Sequence, residues 1–333
     1  MATTRLSDVI VPAVFEPYAV QRTLELSNLY RSGILANDAG FDALASGEGS
    51  LFTLPFFNDL TGDSNVSSDD PAQRAVPNKI TTGADAATKL MRNQSWSSMD
   101  LVAALLDRDP MRVIADRVAA YWAREMQKVL LANLQGVMAA NVANNASDMV
   151  VNVALSGAGT PTAANRIGPA AVLAAKQTLG DASDTLTGIV MHSAEHTELQ
   201  RQQVIVYDPP ATADVGFGTY LGHTVIVDDG VPAVVVNGNV QYTTFLFGRG
   251  AVAFGNGAPK TPIEIERDAL SGNGEGQEIL VSRRHFIQHL RGVRWLGAAV
   301  AGASPTNAEL ANPANYSRVY ARKSIRFAAL VSN

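Results

Sequence analysis

The chain has 333 residues, 47% hydrophobic and 17% charged, a balance that can fill one or two well-packed cores and excludes a disordered chain. It contains no cysteine, which excludes disulfides, thiolate nucleophiles and cysteine metal sites. Its net charge of −5 is polarised: residues 1–100 carry 7 basic and 12 acidic groups, whereas residues 283–326 carry 8 basic and 1 acidic.

The opening stretch MATTRLSDVIVPAVFEPY lacks the basic start and continuous apolar core of a signal peptide. No apolar run approaches the ~20 residues that span a bilayer, so a chain that stays in the compartment where it is made, with no membrane partner, is expected. Residues 51–98 then form a long, mostly polar excursion. Its middle, 58–78, is rich in Asp, Asn, Ser, Gly and Pro and cannot bury a core. Loops longer than about 15 residues are rare in compact domains and tend to be functional or disordered. Strand-like runs at Leu51 to Phe57 and Lys79 to Thr82 predict a two-stranded arm, which is barely stable alone and needs a surface, such as a neighbouring subunit, to lie on.

A long amphipathic helix follows. Asp107 or Asp109 is the predicted cap, with Pro110 in the first turn, where a missing N–H is tolerated. Ile114, Val118, Tyr121, Trp122, Met126, Val129, Leu130, Leu134, Val137 and Met138 keep the three-and-four spacing of one buried stripe, and Arg112, Arg117, Arg124, Lys128 and Gln135 take the other face. Run to about Ala140, the helix is roughly 46 Å long, a spine across a flat or elongated body.

From about Met149 to Pro262 the pattern becomes mixed α/β. Helices are predicted at Ile167 to Leu179 and Ser193 to Gln203. Strands are predicted at Leu186 to Met191, Val204 to Tyr207, Thr224 to Val227, Thr243 to Phe247 and Ala251 to Phe254. Late strands at Ile263 to Arg267, Glu278 to Gln288 and Ser324 to Val331 are expected to return onto the spine helix, leaving the 150–260 segment as an inserted lobe. The class is α+β.

The charge polarity has a candidate role. Asp59, Asp63, Asp69 and Asp70 lie in the excursion with no basic residue between 58 and 73, while Arg283, Arg284, Arg291 and Arg294, with Arg318, Arg322, Lys323 and Arg326, form a complementary set. Opposite charges on segments that dock between subunits fix orientation and register more than affinity. The same arginines also suit nonspecific, salt-dependent contact with nucleic acid phosphates.

Enzyme-like patterns are weak. His192, Glu195 and His196 in HSAEH fit the H-x-x-E-H pattern of inverted zinc proteases. That site needs both histidines on one helix face, whereas LTGIVMH reads as strand and Ser193 as the helix cap, which leaves His192 outside the helix. His223, His285 and His289 read as packed or surface residues. SGNGEG and GRGAVAFG lack the Lys-Ser/Thr ending of a phosphate loop, and Ser156 in LSGAG lacks a nucleophile elbow. No catalytic, cofactor or metal residue is assigned.

The order of parts resembles the major capsid proteins of tailed bacteriophages over nearly the whole chain. The resemblance is carried by LTGIVMHSAEHTELQRQ at 186–202, YLGHTVIVDDGVP at 220–232, YTTFLFGRGAVAFG at 242–255 and IEIERDALSGNGEGQEILVSRRHFIQHLRGVRW at 263–295. It implies an amino-terminal arm (1–47), an extended loop (48–98), a peripheral domain with the spine helix (99–149), an axial domain (150–262), and return strands with a carboxy-terminal segment (263–333). It also implies hexamers and pentamers closing an icosahedral shell around double-stranded DNA, with assembly in the bacterial host cytoplasm. The expected partners are a separate scaffolding protein, a portal protein and a decoration protein. An encapsulin-type cargo compartment shares the fold and is the alternative. Some relatives cross-link through a loop lysine; Lys79 and Lys89 are the lysines here, without an identifiable asparagine and glutamate, so a non-covalent shell is expected.

Overall fold

The computed structural model describes residues 33–67, 69–70, 72–100, 110–202 and 218–333. The first 32 residues of the expected arm, the helix caps Asp107 or Asp109 and the strand expected at Val204 to Tyr207 lie outside the described residues. The elements are β1 (Leu35–Asn37), α1 (Ala39–Ser46), β2 (Leu51–Phe57), β3 (Thr82–Met99), α2 (Pro110–Asn144), β4 (Val150–Asn152), α3 (Pro169–Gln177), β5 (Leu186–Met191) and α4 (Ser193–Arg201). They continue with β6 (Thr219–Tyr220), β7 (His223–Val227), β8 (Ala233–Val236), β9 (Asn239–Gly248), β10 (Val252–Gly257), β11 (Ile263–Asp268), β12 (Gln277–Leu290), β13 (Val293–Trp295), α5 (Asn307–Leu310), β14 (Tyr316–Arg318) and β15 (Phe327–Ser332).

These strands form two large sheets and one small pair. The first sheet has the order β1-β10-β12-β3-β2, with β11 also on β12; the second has the order β4-β15-β9-β5-β7-β6, with β8 on β9. Strand β12 is the axis of the first sheet. It pairs with β3 from Gln277 opposite Met99 to Ile287 opposite Lys89, and its other edge takes β11 and then β10.

Helix α2 runs 35 residues, about 52 Å, four residues past the expected end. Its stripe is buried as the spacing requires: Val118, Trp122, Met126, Val129, Leu130, Leu134 and Val137 are each at most 2% exposed. The first half packs on the first sheet, where Trp122 meets Leu280 and Ile263 and its Nε1 donates to Ser282 Oγ at 2.9 Å. The second half joins a core that draws Leu90, Phe286 and Leu290 from the first sheet and Val190, Phe245, Phe247 and Phe327 from the second. Period-2 alternation sends the apolar side chains of the second sheet's central strands into two cores, one on each face. Phe245, Phe247, Phe327 and Ala329 face that shared core, while Leu246, Ala328, Leu330, Ile189 and Met191 face a separate core with Val172 and Ala175 of α3.

Two expectations need correction. The second strand of the arm begins at Thr82 and runs 18 residues to Met99; it is not confined to Lys79 to Thr82. The run ADAATKLMRNQSWSSM has no β-branched repeat that marks a strand, and its extended form is imposed by β2 on one edge and β12 on the other. The late strands do return onto the spine helix, but from both sheets, so the inserted lobe is not bounded as expected. β15 sits between β4 and β9 in the second, while β10, placed before the expected boundary at residue 262, belongs to the first. The chain crosses between the sheets at the turn Arg249 to Ala251, with Phe247 in the second sheet and Val252 in the first, both buried in the shared core.

Candidate assembly surfaces

The arm is built from β2 laid against the first third of β3, from Leu51 opposite Thr88 to Phe57 opposite Thr82. Asn58 closes its end, with its backbone N–H on Thr81 O and its Nδ2 on Thr81 Oγ1, both at 2.9 Å. Residues 58–81 beyond it have no helix or strand among the described positions. Their large side chains have no core to enter: Leu60 is 75% exposed, Val66 92% and Val76 78%.

Asp59, Asp63, Asp69 and Asp70 all lie exposed on this loop. Asp59 Oδ1 accepts from the Leu60 N–H at 2.8 Å and Asp70 Oδ1 from the Ala72 N–H at 2.9 Å, so both also shape local turns. The arginine set is placed quite differently. Arg283 pairs with Glu264 at 2.7 Å, Arg291 reaches Asp38 at 3.5 Å, Arg284 is buried on β12, and Arg294 is half-buried on β13. Farther along, Arg318 binds Asp148 at 2.5 Å, and Arg322 donates to Asp148 O, Ile325 O and Thr178 Oγ1. Burial pushes the Arg322 guanidinium down to about 10. Arg283 and Arg291 are thus engaged within the first sheet and its edge, whereas Arg318 and Arg322 tie the chain after β13 to the end of α2 and, through Thr178, to the end of α3.

The lysines expected as cross-link candidates separate in the same way. Lys79 is exposed on the loop, whereas Lys89 is buried at the foot of the arm, where Nζ donates to Gly47 O beside the Phe52 ring.

In HSAEH, His192 is the N-cap of α4 and its Nδ1 accepts from the Ala194 N–H at 3.1 Å. Glu195 is turned inward, 2% exposed, with Oε2 2.8 Å from the Ser332 hydroxyl, which donates to it. Burial pushes its carboxyl up to about 7 against the opposing pull of that hydroxyl. His192 thus serves as a cap and Glu195 as a core contact, and among the described residues no group of three or more His, Asp or Glu side chains is arranged to hold a metal.

Sequence reasoning passed over three polar groups. Asp85 and His289 form a buried pair between β3 and β12. Asn133, inside the apolar stripe of α2, donates to Gln288 O at 2.7 Å and accepts from the Tyr316 hydroxyl at 3.1 Å. Arg92 faces a cavity beside α2. The available signal was polar residues interrupting apolar periodicity, at Asn133 in the helix and Asp85 in GADAATKL.

A protruding two-stranded arm, a spine helix and two sheets sharing its core describe a building block, and comparison with known proteins agrees. Residues 46–328 match the family model described as major capsid protein 13-like. The chain belongs to that family. The major capsid protein of Bacillus phage SPP1 is 42% identical over 330 residues, covering 98% of this chain and 97% of that one. Among solved structures, the capsid of Ralstonia phage GP4 superposes with a TM-score of 0.58 at 9% identity, over 90% of this chain and 87% of that one. The capsid of cyanophage Pam1 gives 0.55 at 10% identity, over 90% and 88%. The chain is therefore a phage major capsid protein with the tailed-phage capsid fold, and the family match favours the phage shell over the cargo compartment. Among the described residues no helix of this capsid protein is long and apolar enough to cross a membrane.

Proposed function

We propose that this capsid protein assembles as hexamers and pentamers into an icosahedral shell that encloses double-stranded phage DNA without reading its sequence. The observation that carries this is the arm. A hairpin rooted in the central sheet holds out residues 58–81 with Leu60, Val66 and Val76 exposed, and such a hairpin needs a second surface to be stable. A neighbouring copy supplies that surface, so each extended loop, residues 48–98, reaches across an adjacent subunit. The lobe built on the second sheet, from β4 to β9 with β15, serves as the axial lobe around which the rings close.

The chemistry is binding without turnover, and the shell is held by many modest contacts. A separate scaffolding protein directs curvature, a portal protein occupies one vertex, a decoration protein is a further candidate partner, and assembly takes place in the host cytoplasm. The mildly acidic net charge of −5 suits a container for DNA, because strong wall binding would hinder movement of the packed duplex.

The test is negative-stain electron microscopy of the protein expressed with and without the neighbouring phage genes. Closed shells, or rings of six and five, are expected. A chain that stays monomeric in every condition overturns the proposal. Asp69→Lys with Asp70→Lys is expected to lower particle yield while the monomer stays folded; an unchanged yield removes the loop acids from assembly.

A further inference from the structure

The sequence contains three Asn-Gly pairs, at 237–238, 256–257 and 273–274, and the fold holds each of them differently. In such a pair the carbonyl carbon of the asparagine side chain is open to attack by the backbone nitrogen of the next residue, because glycine has no Cβ to block the approach. The attack needs an asparagine side chain that can swing over and a glycine N–H that nothing holds.

Asn256 meets neither need. It lies inside β10, opposite Phe286 of β12, with Gly257 opposite His285, and its own N–H donates to Asp42 Oδ1 at 2.7 Å. A Cβ on Gly257 would collide with the Ala45 carbonyl oxygen, so this stretch is also packed tightly on α1. Asn237 and Gly238 form the two-residue turn between β8 and β9, closed by the pairing of Val236 with Asn239, and Asn237 Nδ2 donates to Ser156 O at 2.7 Å. Ring closure there breaks that bond and opens the turn. Asn273 is exposed at the tip of the β11–β12 hairpin. The loop is closed below the tip, where the Gly276 N–H donates to Ser271 O and Ser271 Oγ to Gln277 Oε1, both at 3.0 Å. Among the described residues no hydrogen bond or ion pair holds the Asn273 side chain or the Gly274 N–H, and a Cβ built on Gly274 would meet no atom within 4 Å. Asn273 has φ 60 and Gly274 φ 96, a left-handed state that an asparagine leaves without loss.

We propose that Asn273 is a site of spontaneous deamidation. The Gly274 nitrogen attacks Asn273 Cγ, its proton passes through solvent to the departing side-chain nitrogen, which leaves as ammonia, and a five-membered succinimide ring closes. Water then adds across one of the two imide C–N bonds and leaves aspartate or isoaspartate at the position. A neutral amide is thereby exchanged for a carboxylate beside exposed Asp268 and Glu275, where Arg267 is already paired with Glu278 at 3.0 Å and with Asp100. The hairpin tip of an aged chain is therefore more acidic than that of a new one.

The test incubates the full chain in mildly alkaline buffer, folded or in urea, and follows its tryptic peptides by mass spectrometry. Cleavage after Arg249, Lys260, Arg267 and Arg283 puts the three asparagines on separate peptides. In the folded chain the Asn273 peptide is expected to gain the mass difference between an amide and an acid and to split into two isomers. Asn237 is expected to convert at least about five-fold more slowly, the factor that one net hydrogen bond represents, and Asn256 to stay intact over the same time. In urea all three are expected to convert at similar rates, which ties the difference to the fold. An unchanged Asn273 peptide in the folded chain, or equal folded-state rates at the three sites, overturns the proposal. Asn273→Gln, whose longer side chain would have to close a six-membered ring, is expected to abolish the conversion; a mass gain that persists in that variant belongs to Gln277 on the same peptide and overturns the assignment.

Discussion

His289 Nε2 donates to Asp85 Oδ2 at 2.8 Å, and both side chains are 5% exposed. The same carboxylate accepts from the Gly292 N–H at 3.0 Å, and its Oδ1 from the Ala86 N–H at 2.8 Å, so one acid on β3 fastens the far end of β12 and the turn after it. Burial by itself would raise the Asp85 carboxyl; the His289 hydrogen bond and charge together with the two amides outweigh it and leave the group lowered. Asp85→Ala removes the acceptor and strands three donors, with a loss of about 3–5 kcal/mol expected in urea unfolding of the unassembled chain. The sign with pH follows from the lowered value: the stabilisation is present above 3.8 and is lost as pH falls through the folded value.

Glu195 behaves oppositely. Its carboxyl is pushed from 4.5 up to about 7, so the neutral form belongs to the folded state. Its contribution is full below 4.5 and is lost as pH rises through about 7. Glu195→Gln keeps the hydrogen bond to Ser332 and removes the charge. At pH 8, roughly 2–3 kcal/mol of added stability is expected, with little change at pH 5, in thermal or urea unfolding at both pH values.

His223 supplies an acid limb. It is 1% exposed, and burial followed by the nearby Lys176 charge lowers its pKa from 6.5 against the opposing pull of a backbone hydrogen bond to Leu186. The neutral ring is thus the folded form, with stability present above 6.5 and lost as pH falls through the lowered value. His223→Phe is expected to flatten the decline of unfolding temperature just below pH 6.5 while leaving the low-pH loss due to Asp85 in place.

Gly136 lies where α2 passes the α5 turn. A Cβ there would collide with the Leu310 carbonyl oxygen and sit 2.5 Å from Tyr316 Cε2. Because the first of these is backbone, relief requires moving the turn away from the helix. Gly136→Ala is expected to lose about 3 kcal/mol despite alanine's better helix propensity, measurable as a lower denaturation midpoint of the monomer.

Much of this architecture is written locally. The stripe from Val118 to Val137 has a helical period interrupted only at Asn133, and Leu186, Ile189, Val190 and Met191 are apolar on both faces because both faces of their sheet are covered. Strand β3 is different. Its Ala, Lys, Leu and Met residues have no strong extended preference, and its conformation is dictated by β12, whose residues lie nearly two hundred positions away. The sheet chosen by Phe327–Ser332 is equally hidden, since FAALVS would suit either core; only Phe247, Phe245 and Thr243 opposite it decide. The surfaces were legible in part. Exposure of the loop acids follows from their local sequence, but which arginines are consumed within the chain depends on Glu264, Asp38 and Asp148, partners that no spacing rule connects to them.

The place of β15 between β4 and β9 bears on how the protein is made. Until a ribosome has passed residue 332, the second sheet lacks an internal strand, and Phe245 and Phe247 have no Phe327 or Ala329 to cover them. Translation products cut short before that point are left with an open edge on β9, a target for quality-control proteases, and only fully translated copies can present a finished lobe to their neighbours.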